Sequence, residues 1–287
     1  MNTRTTQTLE REPIVMPAPG IFGYFWSVIL WILGIVWIMP MLVLLSTLHT
    51  LFPMAIVQYL DRIYIWGQVR LLLCRWRCVI HPDVDPKQPY IFMQNHTNHF
   101  DHVMMYNATG HIKQGLELRE HFKYPFYGWF MKSRGTIPVD KGRQGQSDRV
   151  MDHIRSEIDK GRSILAFPEG TRTLTGHVGK LRRGTFFIAR DLGIPIVPVT
   201  VTGTYDIMQK GSLVLRPFKR VTVHYLKPIP TQGVTDEELP ELIERVHAAL
   251  SAPLDAYWAE QRGSDAPSTQ DDHPSASLPT ALPGGSA

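Results

Sequence analysis

The sequence predicts an α/β fold, a largely parallel twisted sheet covered by helices, with an N-terminal hydrophobic helical membrane anchor. Three observations predict it. Short apolar runs alternate with amphipathic stretches from about residue 88 onward, the pattern of parallel strands buried on both faces. Between Glu12 and Asp61 there is no Asp, Glu, Lys or Arg. From Gly263 the composition turns to Ser, Pro, Ala, Asp and Gly, too polar to offset the entropy of ordering.

These features divide the 287 residues into a polar segment at 1–20, anchoring helices at 21–80, an α/β domain at 81–255 and a disordered tail at 263–287. That domain is long enough to bury one full core.

The anchor comes first. Ile21 to Pro40 is nearly continuous apolar sequence with Trp26, Trp31 and Trp37, and a membrane-spanning helix needs about 20 such residues. The whole uncharged run exceeds one perpendicular crossing. Pro40 and Pro53, with Ser46, Thr47, His49 and Thr50 between them, mark an expected break. Two arrangements follow: a two-helix hairpin, or one span followed by a helix lying in the interface. A cleaved leader is disfavoured, because the apolar region is too long and no small-residue cleavage pattern follows. Arg62, Arg70, Arg75 and Arg77 follow the run and Arg4 and Arg11 precede it, which places the later flank in the cytoplasm. Residues 62–77 mix these arginines with Ile63, Trp66 and Val69, as an interfacial helix would.

In the α/β region, strands are expected at Tyr90–Met93, Thr136–Val139, Ser163–Phe167, Ile194–Val201 and Val221–Leu226. A helix is expected over Ser147–Lys160, where Val150, Met151, Ile154 and Ile158 share a face; Ser147 or Asp148 caps it and Gly161 ends it. Two more are expected, at Gly184–Asp191 and Asp236–Leu250. Tyr124, Phe126, Tyr127, Trp129, Phe130 and Met131 read as a core helix face sooner than as the lining of an acyl channel.

Charge and cysteine usage narrow the function classes. The chain carries +4 overall, but its Lys and Arg stop at Arg262, so the body ahead of the acidic tail sits near +7. Such a body suits anionic headgroups, phosphorylated substrates or acidic carriers. No Lys/Arg-rich run or nucleic-acid motif is present, and nucleic acid is not an expected partner. Cys74 and Cys78, four apart on an expected helix, read as free thiols in a reducing compartment.

Two segments carry chemistry. Asn95-His96-Thr97-Asn98-His99-Phe100-Asp101 follows the first strand and holds an imidazole and a carboxylate five positions apart. Catalytic groups of open α/β sheets gather at the carboxyl ends of strands. A helix starting near Asn98 lets Asp101 reach back to one nitrogen of His96 and leave the other as an acceptor. Taken alone, His96 reads sooner as a residue that caps a helix or satisfies the core. Phe167-Pro168-Glu169-Gly170-Thr171-Arg172-Thr173 follows another strand and joins a carboxylate, a turn glycine, a hydroxyl and a guanidinium. It reads as an anion clamp or as a structural turn closed by a Glu–Arg pair. No Gly-x-Ser-x-Gly nucleophile elbow is visible.

The combination resembles the glycerolipid acyltransferase family, known best for its PlsC-like 1-acylglycerol-3-phosphate acyltransferases. The family's Asn-His-x-Ser-x-x-Asp is similar to Asn95–Asp101, with Asn98 where serine is usual, and its Phe-Pro-Glu-Gly-Thr-Arg-Ser to Phe167–Thr173, with Thr173 for the serine. Its Gly-x-Ile-x-x-x-Arg block resembles Gly135–Lys141, where Lys141 stands at the arginine position and Arg143 follows. Leu181-Arg182-Arg183-Gly184 and the Val-Pro-Val within Ile194–Val199 complete the likeness, which covers residues 85–230.

The resemblance implies an O-acyltransferase of phospholipid synthesis and assigns roles by position. His96 is the general base toward a glycerol hydroxyl, and Asp101 orients it. Lys141 or Arg143, with Gly170, Thr171 and Arg172, holds the acceptor phosphate, and Glu169 orders that site. The donor is acyl-CoA or acyl carrier protein, used as substrate with no cofactor and no metal. The acceptor is a lysophospholipid, 1-acylglycerol-3-phosphate, converted to phosphatidic acid. The domain works in the cytoplasm, on the inner membrane or another cytoplasm-facing membrane. Lys141 is a point charge where arginine offers a fork, so another lysophospholipid or a lyso-aminolipid is the alternative acceptor. A metal-dependent hydrolase built on His96, His99 and His102 is a further alternative, as is a non-enzymatic membrane adaptor.

Overall fold

The computed structural model describes residues 11–140 and 148–264. The expected Lys141 and Arg143 contacts and the Ser147 cap therefore lie outside the described residues, as does the tail from 265 on.

Two helices lead: α1 at Ile21–Leu51 and α2 at Met54–Leu71. Pro40 lies inside α1 and does not break it; the break comes at Phe52–Pro53. Trp37 meets Tyr64 and Gly67 while His49 meets Asp61, so α2 runs back along α1 as a hairpin. A Cβ on Gly67 would fall 2.2 Å from the Trp37 ring, so glycine is required for the helices to approach there.

α1 has two unlike faces. Ser27, Leu30, Leu42, Leu45 and Ser46 are buried, and Ser27 and Trp31 both donate to the Leu213 carbonyl, at 3.2 and 2.7 Å. Ile32, Leu33, Ile35, Val36, Val43 and Leu44 are exposed, as are Ile56, Tyr59, Ile63 and Trp66 of α2. By length and composition α1 could cross a membrane. An apolar surface of this extent marks a contact with lipid or another protein.

The remaining elements are β1 (Arg75–Ile80), β2 (Ile91–Gln94), α3 (Asp101–Tyr106), β3 (Lys113–Leu118), α4 (Tyr127–Arg134), β4 (Ile137–Val139), α5 (Asp148–Asp159), β5 (Ser163–Ala166), α6 (Gly184–Leu192), β6 (Ile196–Thr202), α7 (Thr204–Ile207), β7 (Arg220–Tyr225) and α8 (Leu239–Ser264). The seven strands form one sheet in the order β1-β7-β6-β2-β5-β3-β4. All pairs are parallel except β6 with β7.

Alternation along the fully buried central strands feeds two cores. Phe92, Leu165, Val197, Val199 and Val201 pack on one face with Met104 and Met105. Ile91, Met93, Ile164 and Ile196 pack on the other with α5, α6 and α8. The expected stripe of α5 is the observed one: Val150 and Ile154 are buried and Met151 and Ile158 pack beside them.

Three expectations are corrected. Residues 75–77 are not helical and Cys74 and Cys78 do not share a helix: Leu73 adopts φ +52°, which stops α2, and the chain then pairs with β7 as an edge strand. This strand joins the sheet from within the 21–80 segment assigned to the anchor. Strand β3 was not foreseen, because it begins with Lys113 and Gln114, both buried, in place of an apolar run. Finally, α8 passes Leu250 and Pro253 and reaches Ser264, because Leu254 and Trp258 continue its buried stripe. The turn just ahead of it is closed in the manner of a capping box: Thr235 N–H donates to Glu238 Oε2 at 2.9 Å, and Glu238 N–H to Thr235 Oγ1 at 3.3 Å.

Candidate active site

The loops leaving β2, β5 and β6 meet at the carboxyl ends of these parallel strands. Asn95 begins the first loop and fixes its direction. Its amide donates to the Val201 carbonyl at 3.1 Å and accepts from the Val201 N–H at 2.7 Å. One side chain thus replaces a strand partner.

His96 Nδ1 lies 2.9 Å from Asp101 Oδ2. The Asp101 side chain is fully buried, whereas that of His96 keeps 22% exposure. Asp101 stands in the first turn of α3, and the backbone N–H groups of Thr97 and Asn98 and the Thr97 hydroxyl also point to it. All three donate, as an acceptor-only carboxylate requires. The imidazole stacks on Phe167, with ring centroids 4.0 Å apart and planes 23° apart. With Nδ1 directed at Asp101, Nε2 is the nitrogen left for a substrate.

Asn98, the departure from the usual serine, has its own role. Its Oδ1 accepts from the Phe100 N–H at 2.7 Å, and its Nδ2 donates to the carbonyls of Thr204 and Met208. The Thr97 hydroxyl also meets that of Thr204 at 2.7 Å. Thr204 follows Gly203, whose φ of +85° and whose approach to the Arg220 carbonyl leave no room for a Cβ.

The loop after β5 docks on the first. Glu169, buried, accepts the His96 N–H on Oε1 at 2.7 Å and the Gly179 N–H on Oε2 at 2.8 Å. Burial pushes its carboxyl up to about 7, against the lowering pull of those two backbone donors. The structural turn expected to be closed by a Glu–Arg pair is instead a bridge between loops, since Arg172 points elsewhere. Thr173 N–H donates to the His96 carbonyl at 2.8 Å, tying the same loops a second time. Gly170 holds φ +64°, and a Cβ there would lie 2.6 Å from Arg182 Nε.

Arg172 Nη1 lies 2.9 Å from His99 Nε2. Burial first, and the Arg172 charge next, lower the His99 pKa and keep that nitrogen an acceptor. His102 is pushed down to about 4, mainly by burial. Among the described residues no group of three His, Cys, Asp or Glu side chains could hold a metal ion, so His96, His99 and His102 do not converge.

Of the site residues read from sequence, His96, Asp101, Glu169, Gly170, Thr171 and Arg172 are brought together. Sequence reasoning missed Asn95, Thr97, Thr204, Gly179 and Lys210, which act through backbone groups or lie far along the chain. Lys210 Nζ donates to Thr171 Oγ1 at 2.9 Å and to the Arg172 carbonyl at 3.1 Å.

The chain is similar to known proteins. Residues 75–202 match the acyltransferase family. A 1-acyl-sn-glycerol-3-phosphate acyltransferase of Saccharomyces cerevisiae is 30% identical over 171 residues, 56% of this chain and 54% of that protein. The human 1-acyl-sn-glycerol-3-phosphate acyltransferase alpha is 29% identical over 181 residues, 62% and 63% of the two chains. The chain thus spans between about two fifths and just under two thirds of the length of the relatives it matches. The crystal structure of the 1-acyl-sn-glycerophosphate acyltransferase PlsC from Thermotoga maritima superposes with a TM-score of 0.69 at 18% identity, covering 83% of this chain and 97% of that one. That likeness establishes the fold.

Proposed function

We propose that this protein, whose residues 75–202 match the acyltransferase family, transfers an acyl chain from a thioester to the free hydroxyl of a 1-acylglycerol 3-phosphate. The observation that carries the reading is the 2.9 Å contact between His96 Nδ1 and Asp101, with a guanidinium held on the next loop. The names of the matched relatives support the acceptor.

The chemistry follows from the geometry. His96 Nε2 takes the proton of the acceptor hydroxyl as its oxygen attacks the thioester carbonyl carbon. Asp101 holds the ring and balances the imidazolium that forms. The C–S bond then breaks, and the proton passes from His96 to the departing thiolate. No acyl-enzyme is needed. Positioned base assistance of this kind is worth about 10²–10⁴ in rate. Arg172 supplies positive charge for the acceptor phosphate, and Lys141 and Arg143 are assigned the same role. Acyl-CoA and acyl carrier protein both fit as donors, and neither a cofactor nor a metal enters the steps above.

The exposed apolar face of the α1–α2 hairpin would sit in the bilayer, where donor chains and acceptor lipids reside. The arginines after it would keep the domain on the cytoplasmic side. The test is direct: purified protein in detergent, 1-acylglycerol 3-phosphate, and acyl-CoA or acyl carrier protein as donor. Formation of phosphatidic acid by wild type but not His96→Ala is expected. Equal product from both proteins, or none from wild type with either donor, defeats the proposal.

A further inference from the structure

We infer that Lys210 is a second phosphate-binding residue, which with Arg172 forms a two-cation seat selecting a phosphate monoester headgroup. The inference rests on the acyl-acceptor reading above and goes beyond it, because neither the motif blocks nor the matched family points to this lysine.

Three observations carry it. The Lys210 ammonium reaches the loop of Arg172 itself, at Thr171 Oγ1 and the Arg172 carbonyl, so the two cations share one short segment. Both contacts use neutral acceptors, and among the described residues neither Lys210 nor Arg172 has a carboxylate partner. An ammonium has three donors. With two directed at the loop, one remains for a ligand.

The third observation is how firmly Lys210 is placed. Two residues earlier, the Met208 carbonyl accepts from Asn98 of the His96 loop. Four residues before that, Thr204 meets Thr97 and Asn98. Thr173, next to Arg172, is tied to the His96 carbonyl. The base and both cations are therefore held by one hydrogen-bonded frame, and a lipid bound by its phosphate would present its hydroxyl within that frame.

The charge count sets the specificity. A phosphate monoester carries close to two negative charges at pH 7, so a second cation beside Arg172 favours it over a singly charged headgroup. A diester carries one, and a choline or ethanolamine group adds a positive charge that this seat would repel.

The test uses the full chain in detergent with Lys210→Met and Lys210→Arg, measuring binding and turnover separately. Binding of 1-acylglycerol 3-phosphate and of uncharged 1-acylglycerol is read by titration, which does not require catalysis. Lys210→Met should bind the phosphate lipid about tenfold more weakly and the uncharged lipid unchanged, since one charged hydrogen bond accounts for roughly that factor. Where turnover is seen, KM for the phosphate acceptor should rise about as much with kcat nearly preserved, and Lys210→Arg should recover most of the loss. Unchanged binding of the phosphate lipid overturns the inference. An equal loss for both lipids does so too, since Lys210 would then only brace the loop. Selective weakening in a protein that transfers no acyl group would leave the inference standing and remove the acyltransferase reading.

Discussion

The His96 backbone N–H donates to Glu169 Oε1 at 2.7 Å, and through this bond the loop of one strand fixes the loop of another. The Glu169 carboxylate therefore acts as a strut. Glu169→Gln should keep one acceptor but turn an amide donor toward a second backbone N–H. Its activity should fall at least about tenfold, the cost of leaving one such group unpaired. The pH dependence also changes. The folded carboxyl sits near 7 against an ordinary 4.5, so the folded state holds the extra proton between these values. Its contribution to stability is complete below about 4.5 and lost as pH rises through 7. Denaturation across that window should show the wild-type advantage over Glu169→Gln shrinking with rising pH. A constant difference would contradict the raised value.

His96→Ala should lower kcat by at least about 10²-fold while acceptor affinity changes little. Asp101→Asn should remove the counter-charge of the imidazolium while keeping most of the frame, because the amide oxygen can still accept the N–H groups that meet Oδ2 and its NH2 would face the Thr97 hydroxyl at the Oδ1 place. Single-turnover rates and acceptor titration separate the two effects. Near-wild-type turnover of His96→Ala would remove it as the base.

Asn95 offers a prediction about stability without chemistry at the reacting atoms. Its side chain presents both a donor and an acceptor to Val201. Alanine leaves two buried backbone groups unpaired, each costing about 1–3 kcal/mol. Aspartate restores the acceptor but sets an oxygen against the Val201 carbonyl. Both variants should unfold at lower denaturant, and a midpoint equal to wild type in either would show that water replaces the amide.

How much of this was legible in the sequence follows from where the signals lie. The strands at Ile91, Ser163 and Ile196 are apolar runs between turn residues, and the α5 stripe recurs at helical spacing, so periodicity finds them. The stop at Leu73 is not legible, because a left-handed residue there is leucine where glycine or asparagine would have signalled it. β3 is hidden because Lys113 and Gln114 enter the core with their polar ends satisfied by Thr109, Tyr106, Glu157 and Arg134. The His96 and Arg172 loops were visible as dense local motifs. Lys210 was not, since its contact spans 38 residues and depends on the fold.

The α1–α2 hairpin is joined to the domain by charges. Asp61 of α2 accepts from His49 of α1 at 2.9 Å and from Arg134 of α4 at 3.3 Å, and all three are buried. Arg134 continues to the Gln114 side chain and the Lys113 carbonyl of β3. Asp61→Leu would leave the guanidinium without its carboxylate, a loss of about 3–5 kcal/mol for a broken buried pair. Arg134→Met together with Asp61→Leu should recover much of it, since neither charge is then stranded. Thermal denaturation of the two single variants and the double variant in detergent measures the coupling. Strict additivity would show that the helical hairpin and the sheet are held by apolar packing alone.

Lys113 gives the last prediction. Its ammonium is fully buried, lies 5.3 Å from the centre of the Phe92 ring and 6.0 Å from that of Tyr225, and donates to neutral oxygens, with no carboxylate partner among the described residues. Burial, and then the charge of Arg62, lower its pKa to about 7 from an ordinary 10.5. Between these values the unfolded chain holds a proton that the folded chain does not, so stability rises with pH from about 7 to 10.5. Below 7 the folded state carries the full cost of a buried ammonium. Lys113→Met keeps the volume, removes the charge and should flatten that rise while raising stability at pH 6. The variant must also leave the Thr109 hydroxyl and the Tyr106 carbonyl short of a donor, which opposes the gain. The slope with pH isolates the charge from this loss, because unpaired neutral groups do not titrate. An unchanged slope between pH 7 and 10.5 would place the titrating proton on another group.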